Sequence, residues 1–242
     1  MPGLDWLIAR PVAHRGLHDA ANGVIENSIS AFAAAVAGRY AIECDLQLSA
    51  DGEAMVFHDD TLERLTEREG AFASLTAAEL KAVSFKGTAD RMLTLGELCD
   101  LVAGRVTLVL ELKSGFTGDM RLAKRVAAVV QDYAGPVAAM SFDPAVIRGL
   151  HAEAPGLPRG LVAQSRPDPE VPSGNSVRYA LDALRARPHF LAWSVDDLAS
   201  FWPLLGRRGF GLPLLTWTVR TEADRLRAAR WADQIIFEGF RP

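Results

Sequence analysis

Residues 41–60, AIECDLQLSADGEAMVFHDD, read as a buried strand, a tight turn and a short return. Side chains alternate across a strand, so Ile42, Cys44, Leu46 and Leu48 form an apolar face while Glu43, Asp45 and Gln47 share the other. Asp51-Gly52 is a turn signal, and the second apolar run, AMVF, brings the chain back to His58. A strand with an apolar face and acids on the other asks what the acids face.

Working outward, seven more apolar, β-branched runs bounded by turn residues follow the same rule: PVAHR (11–15), VTLVLELK (106–113), VAAMSF (137–142), RGLVA (159–163), FLAWSV (190–195), LLTWTV (214–219) and QIIFE (234–238). Periodic helix-like segments separate them. ENSISAFAAAVAGR has possible caps at Asn27 and Ser28 and stops at Gly38; TLGELCDLVAG runs from Thr94 to Gly104; GDMRLAKRVAAVVQDYAG runs from Asp119 to Gly135. DPAVIRGLHAEAPG, SVRYALDALRAR, VDDLASFWPLLGRRG and TEADRLRAARWA complete the set.

Eight strand–helix units match a closed (β/α)8 TIM barrel better than an open doubly wound sheet. Neither G-x-G-x-x-G nor G-x-x-x-x-G-K-[ST] follows the first strand, which removes the main support for a nucleotide-binding open fold. The one irregularity, residues 59–93, is too long for a plain βα loop and contains SLTAAEL, a short helix. It is expected to be a small insertion subdomain after strand two, over one end of a single barrel domain spanning 1–242.

The 242 residues are 49% hydrophobic and 23% charged, with a net charge of −4, and the basic residues are scattered among acids, which argues against a nucleic-acid partner. No apolar run approaches the roughly 18 residues of a membrane span, and no basic-then-apolar leader opens the chain, so a cytoplasmic protein without stable membrane insertion is expected. Cys44 and Cys99 show no C-x-x-C spacing and read as small buried hydrophobes.

Active sites of such barrels lie at the C-terminal strand ends. His14 and Arg15 end the first strand, Glu43 and Asp45 occupy the second half of the second, and Glu111 and Lys113 end the third. Carboxylates at i and i+2 stand roughly 6.6 Å apart along a strand, near enough for their oxygens to converge on one ion, with Glu111 as a third ligand. All-oxygen ligation suits one hard cation, Mg2+ or Ca2+, better than zinc. Histidine as a residue type serves both as proton acceptor and as proton donor, so His14 and His58 fit a base and an acid working on one substrate. His18 could line the same mouth, whereas His151 and His189 read as surface residues. Arg15 and Lys113 suit phosphate oxygens, or neutralise the carboxylates, or both. Phe142, Trp193 and Trp217 lie near later strand ends; most such residues only pack, and Trp217 alone is retained as a substrate contact.

AHRG (13–16), ENS (26–28), IECDLQLSADG (42–52), VFHDDTLERLT (56–66) and LELK (110–113), in that order, resemble the glycerophosphodiester phosphodiesterases. The resemblance implies a (β/α)8 barrel with a small insertion after strand two. It implies metal ligation by Glu43, Asp45 and Glu111, a general base and acid in His14 and His58, and phosphate contacts from Arg15 and Lys113. Glu26 and Asn27 match a supporting motif that usually reads Pro-Glu-Asn, with Ile25 here in place of proline. Arg220 stands where asparagine or aspartate usually follows the WTV, and Glu238 where aspartate usually ends the last strand. The implied activity is metal-dependent hydrolysis of small glycerophosphodiesters, the deacylated phospholipids, to sn-glycerol 3-phosphate and an alcohol. Alternatives are a lysophospholipase D-like enzyme acting on lipids, a non-catalytic phosphodiester-binding barrel and, less well matched for want of His-x-His on strand one, an amidohydrolase. The alcohol head group, the choice of metal and the oligomeric state stay open at this level.

Overall fold

A computed structural model describes residues 3–165 and 176–242. Its strands are β1 (Val12–Ala13), β2 (Ala41–Leu48), β3 (Ala54–Val56), β4 (Leu108–Leu112), β5 (Val137–Ser141), β6 (Arg159–Ala163), β7 (Phe190–Ser194), β8 (Leu214–Val219) and β9 (Gln234–Phe237). The helices are α1 (Asp5–Ile8), α2 (Ile29–Ala37), α3 (Ala77–Ala82), α4 (Leu95–Val102), α5 (Arg121–Val130), α6 (Pro144–Glu153), α7 (Ser176–Ala186), α8 (Phe201–Leu204) and α9 (Glu222–Trp231). The sheet runs β1-β9-β8-β7-β6-β5-β4-β2, and β1 pairs with β2 to close it. All eight barrel strands are parallel, so the chain is a TIM barrel, with β3 as an extra strand outside it.

The short first strand shapes one end of this barrel. β1 pairs with β2 only at Val12↔Ala41 and Ala13↔Ile42, which leaves the same edge of β2 open further on. There β3 pairs antiparallel, Leu46↔Val56 through Leu48↔Ala54, and covers that edge. Between the two, the chain leaves β1 through His14 and Arg15, and Gly16 turns at φ +79° so close to α2 that a Cβ would stand 2.9 Å from the Ala31 Cβ. Only glycine fits that turn.

Alternation along the strands divides the core in two. Val12, Ala41, Val109, Ala138, Met140, Val162, Phe190, Ala192, Leu215 and Ile236 fill the barrel, closed at its base by Leu7 of α1. Ile42, Cys44, Leu46, Leu108, Leu110 and Leu112 face outward against the helices. A third cluster belongs to the segment after β3: Met55, Phe57, Leu62, Phe72, Leu80 and Phe85 pack together, with Phe57 stacked 5.3 Å from Phe72.

Caps hold the helix starts. Ser28 accepts from the Ala31 N–H, and Thr76, Thr94 and Thr221 each close a capping box, with Glu79, Glu97 and Asp224. Two expectations are corrected. VDDLASFWPLLGRRG is not one helix: a 3-10 turn over Val195–Asp197 precedes α8, which passes into a π-helical turn over Leu205–Gly209. A Cβ on Gly206 would meet Leu191 Cδ1 at 2.3 Å, so this turn sits hard against β7. Trp193 packs, as expected, and faces outward into the strand–helix layer. His189 is half-buried rather than superficial, and burial together with Arg159 lowers its pKa to about 4.

Candidate active site

Glu43 and Asp45 project from β2 into the barrel, Glu111 lies opposite Asp45 in the register of β4, and all three are buried. One oxygen from each lies within 4.8 Å of the others. The cations expected beside them are present. Lys113 Nζ stands 3.0 Å from Asp45 Oδ1 and 2.9 Å from Glu111 Oε1, and Arg15 Nε stands 3.2 Å from Asp45 Oδ2.

The three acids are not equivalent. Burial pushes the Asp45 carboxyl up, but Lys113 and Arg15 outweigh it and hold the group below its ordinary range. Asn27 adds a hydrogen bond, donating from Nδ2 to Asp45 Oδ2 at 2.9 Å. Glu43 receives only the Arg15 backbone N–H, at 2.9 Å on Oε2. Burial, then Asp45 and Glu111, push its pKa well above the usual carboxylate value. Its Oε1 is buried with no hydrogen-bond partner among the described residues. That orphan acceptor, inside a set of three carboxylates, is the observation a hard divalent cation would satisfy.

Arg15 takes a positive φ of 54°, which lets its N–H reach Glu43 while its side chain turns back to Asp45 and, through Nη1, to Glu26 Oε1 at 2.7 Å. Burial opposes its charge, yet Asp45, Glu26 and Glu43 hold the guanidinium above its ordinary pKa. Glu26 also accepts from Arg64 Nη2 at 2.7 Å, and the two arginines hold its pKa down against burial.

The histidines flank the acids. His14 follows β1, with Nε2 3.9 Å from Glu43 Oε2 and Nδ1 2.8 Å from Glu238 Oε2. His18 joins it, 4.0 Å from the same Glu238 oxygen. His58 ends the arm carried by β3, its Nδ1 2.8 Å from Asp59 Oδ1. Gln47, on the same face of β2 as the acids, donates to the carbonyls of Phe57 at 3.2 Å and Asp59 at 2.8 Å, so the strand bearing the acids also holds the backbone around His58. Trp217 lies within β8, paired with Ser194 at the end of β7, donates from Nε1 to the Ala192 carbonyl at 3.2 Å and meets Phe142 edge-on at 5.5 Å.

Sequence reasoning assigned no role to Gln47, Asp59 or Arg64. Arg64 bridges Asp59 and Glu26, tying the ENS loop to the partner of His58. Arg64 and Asp59 both stand inside the quoted VFHDDTLERLT, the one available signal, but the contact to Glu26 spans 38 positions and leaves no local pattern. Glu238 and Arg220 had been noted only as departures, and the structure pairs them, at 3.2 Å.

Comparison with known proteins identifies the family and agrees with this fold. The model of the glycerophosphoryl diester phosphodiesterase family matches residues 14–240. A glycerophosphodiester phosphodiesterase of Caldanaerobacter subterraneus subsp. tengcongensis is 34% identical over 163 residues, which cover 63% of this chain and 66% of that one. A Bacillus subtilis protein of the same name is 24% identical over 251 residues, 95% of this chain and 83% of that one. In fold, the chain superposes with a TM-score of 0.78 on an Oleispira antarctica phosphodiesterase in complex with the product sn-glycerol-3-phosphate, at 20% identity and over 94% and 91% of the two chains. A barrel closed in the same way, with acids, cations and histidines gathered at one end of it, and a family match running from His14 to Phe240, lead to one conclusion: the chain belongs to the glycerophosphoryl diester phosphodiesterase family, a family of phosphoric diester hydrolases.

Proposed function

We propose that the chain hydrolyses small glycerophosphodiesters to sn-glycerol 3-phosphate and an alcohol, with one divalent cation, Mg2+ or Ca2+, held by Glu43, Asp45 and Glu111. The unpartnered buried oxygen of Glu43 beside two further carboxylates carries this reading. The bound cation would supply Lewis-acid stabilisation of charge on the phosphoryl oxygens. Arg15 and Lys113, already charged and anchored on Asp45, supply fixed positive charge for the same oxygens without reorganising. Trp217 would offer a face to the organic part of the substrate.

His14 Nε2 accepts the proton of the attacking hydroxyl, either the glycerol 2-hydroxyl or a water, as its oxygen bonds to phosphorus. His58 gives a proton to the departing alcohol oxygen as the phosphorus–oxygen bond breaks. By the first route a cyclic phosphate forms and water then opens it; by the second the product forms directly. Glu26 and Asn27 hold Arg15 and Asp45 in place. Residues 1–242 act as one barrel domain, and the insertion of about 59–93 completes the arm that presents His58. No helix among the described residues is long and apolar enough to cross a membrane. Two buried free cysteines suit the reducing cytoplasm.

A coupled assay for glycerol 3-phosphate over a panel of deacylated phospholipids, with each metal and with chelator, tests the reading. Turnover should require the metal, and His14→Ala and His58→Ala should each lose about 10²–10⁴ in rate. Full activity in excess chelator, or near-native turnover of His14→Ala, would remove it.

A further inference from the structure

We infer that Glu238 is a positioning residue that fixes which nitrogen of the His14 ring carries the hydrogen, and that Arg220 fixes Glu238 in turn. This rests on the base role proposed above for His14. An ionised carboxylate can only accept a hydrogen bond, so at 2.8 Å from Glu238 Oε2 the neutral His14 ring carries its hydrogen on Nδ1. Nε2 is then left with its lone pair, and Nε2 is the nitrogen turned toward the acids, 3.9 Å from Glu43. The carboxylate is held in the ionised form that this needs: the His14 hydrogen bond, outweighing burial and aided by Arg220, lowers the Glu238 pKa to about 2.

Arg220 reaches the same carboxylate from the solvent side, Nη2 at 3.2 Å from Oε2 and Nε at 3.4 Å from Oε1, while its own N–H donates to Asp224 at the start of α9. Both carboxylate oxygens are thereby engaged and the group cannot rotate away from the imidazole. His18 Nε2, 4.0 Å from Oε2, is beyond hydrogen-bond reach and does not compete. The two positions that depart from the pattern of the resembling family, Arg220 and Glu238, touch each other and act as one unit on His14.

The test uses the full-length enzyme with Glu238→Gln and Glu238→Asp. Glutamine keeps the size but can donate to Nδ1 as readily as accept, so the tautomer preference goes. Glu238→Gln should lower kcat about 10- to 100-fold with KM within about threefold, and Glu238→Asp should recover part of the loss because it restores an acceptor-only partner. Ring nitrogen-15 NMR of His14 is read in the same proteins. The wild type should show a protonated Nδ1 and a bare Nε2, and Glu238→Gln should lose that pattern. A kcat loss with unchanged nitrogen shifts would overturn the inference, as would kcat and shifts both unchanged. Altered shifts with unchanged kcat would uphold the positioning role and instead defeat the base role of His14, so the two failures are told apart.

Discussion

Glu43 shows function set against stability at a single residue. Its carboxyl is buried, one oxygen has no partner, and two other acids converge on it, so without a cation the folded protein carries an unfavourable group. Asp45, two residues on, is equally buried but is engaged by Lys113, Arg15 and Asn27. Neutralising each should therefore act in opposite directions. In chelator, Glu43→Gln is expected to raise the thermal midpoint by about 2–4 °C, the shift of roughly 1 kcal/mol in a chain of this size. Asp45→Asn is expected to lower it, since breaking a buried pair strands its partners. Both should lose activity, about 100-fold or more, because each removes a proposed ligand charge. Differential scanning with and without metal measures this contrast. A Glu43→Gln protein destabilised as much as Asp45→Asn would show that the orphan oxygen carries no strain.

At the scale of elements, the site depends on how β2 is shared. β1 takes the first half of one edge and β3 the second, and Gln47 fastens the β3 arm from inside. Gln47→Leu keeps the volume but removes both amide hydrogen bonds, leaving the Phe57 and Asp59 carbonyls short of donors. Denaturant unfolding should show a loss of about 1–3 kcal/mol. The loss in kcat should exceed the loss in substrate affinity, because the arm places His58 rather than binding substrate by itself. Equal kcat in the two proteins would mean that β3 alone sets the arm. Much of this element was legible in its residues: the period of two in AIECDLQL separates Glu43 and Asp45 from Ile42 and Cys44, and threonine followed three residues later by an acid marks the starts of α3, α4 and α9. The rest was hidden for identifiable reasons. FLAWSV is apolar from Phe190 through Trp193, so no alternation there tells which way Trp193 faces. In VDDLASFWPLLGRRG the apolar spacing on either side masks the break that Pro203 signals, and the approach of Gly206 to Leu191, 15 positions back, shows where the helix unwinds. The pairing of His14 with Glu238 spans 224 positions and exists only once the barrel closes.

Closure also gathers charge, and for the whole molecule that makes stability depend on pH in two limbs. Glu26, Asp45, Asp59 and Glu238 all have pKa values below the ordinary 3.8 to 4.5 in the folded chain, Glu238 down to about 2. A carboxyl depressed by folding binds its proton more readily when unfolded, so it contributes stability that is complete above about pH 4.5 and is lost as pH falls through the folded value. Glu43 has the opposite sign. Raised well above 4.5, it holds a proton in the folded state that the unfolded chain has released, so its contribution is present at low pH and is lost as pH rises through its folded value. Below pH 4.5 Glu43 is protonated in both states and adds no slope, so the depressed carboxyls act unopposed and the fold should weaken steeply toward pH 2. Above pH 4.5 the depressed carboxyls are silent in both states; Glu43 lowers stability as pH climbs from there to its folded value, while His18 and His189, whose pKa values folding lowers, raise it as pH climbs toward their ordinary 6.5. Thermal midpoints in chelator from pH 2 to 8 should show the acid limb in both the wild type and Glu43→Gln, and above it the wild type should decline relative to Glu43→Gln. Divalent metal should abolish that decline in the wild type as well, since the bound cation favours the deprotonated ligand set. Wild-type and Glu43→Gln profiles that run parallel from pH 5 to 8 in chelator would show that the buried carboxyl is not under the pressure its surroundings imply.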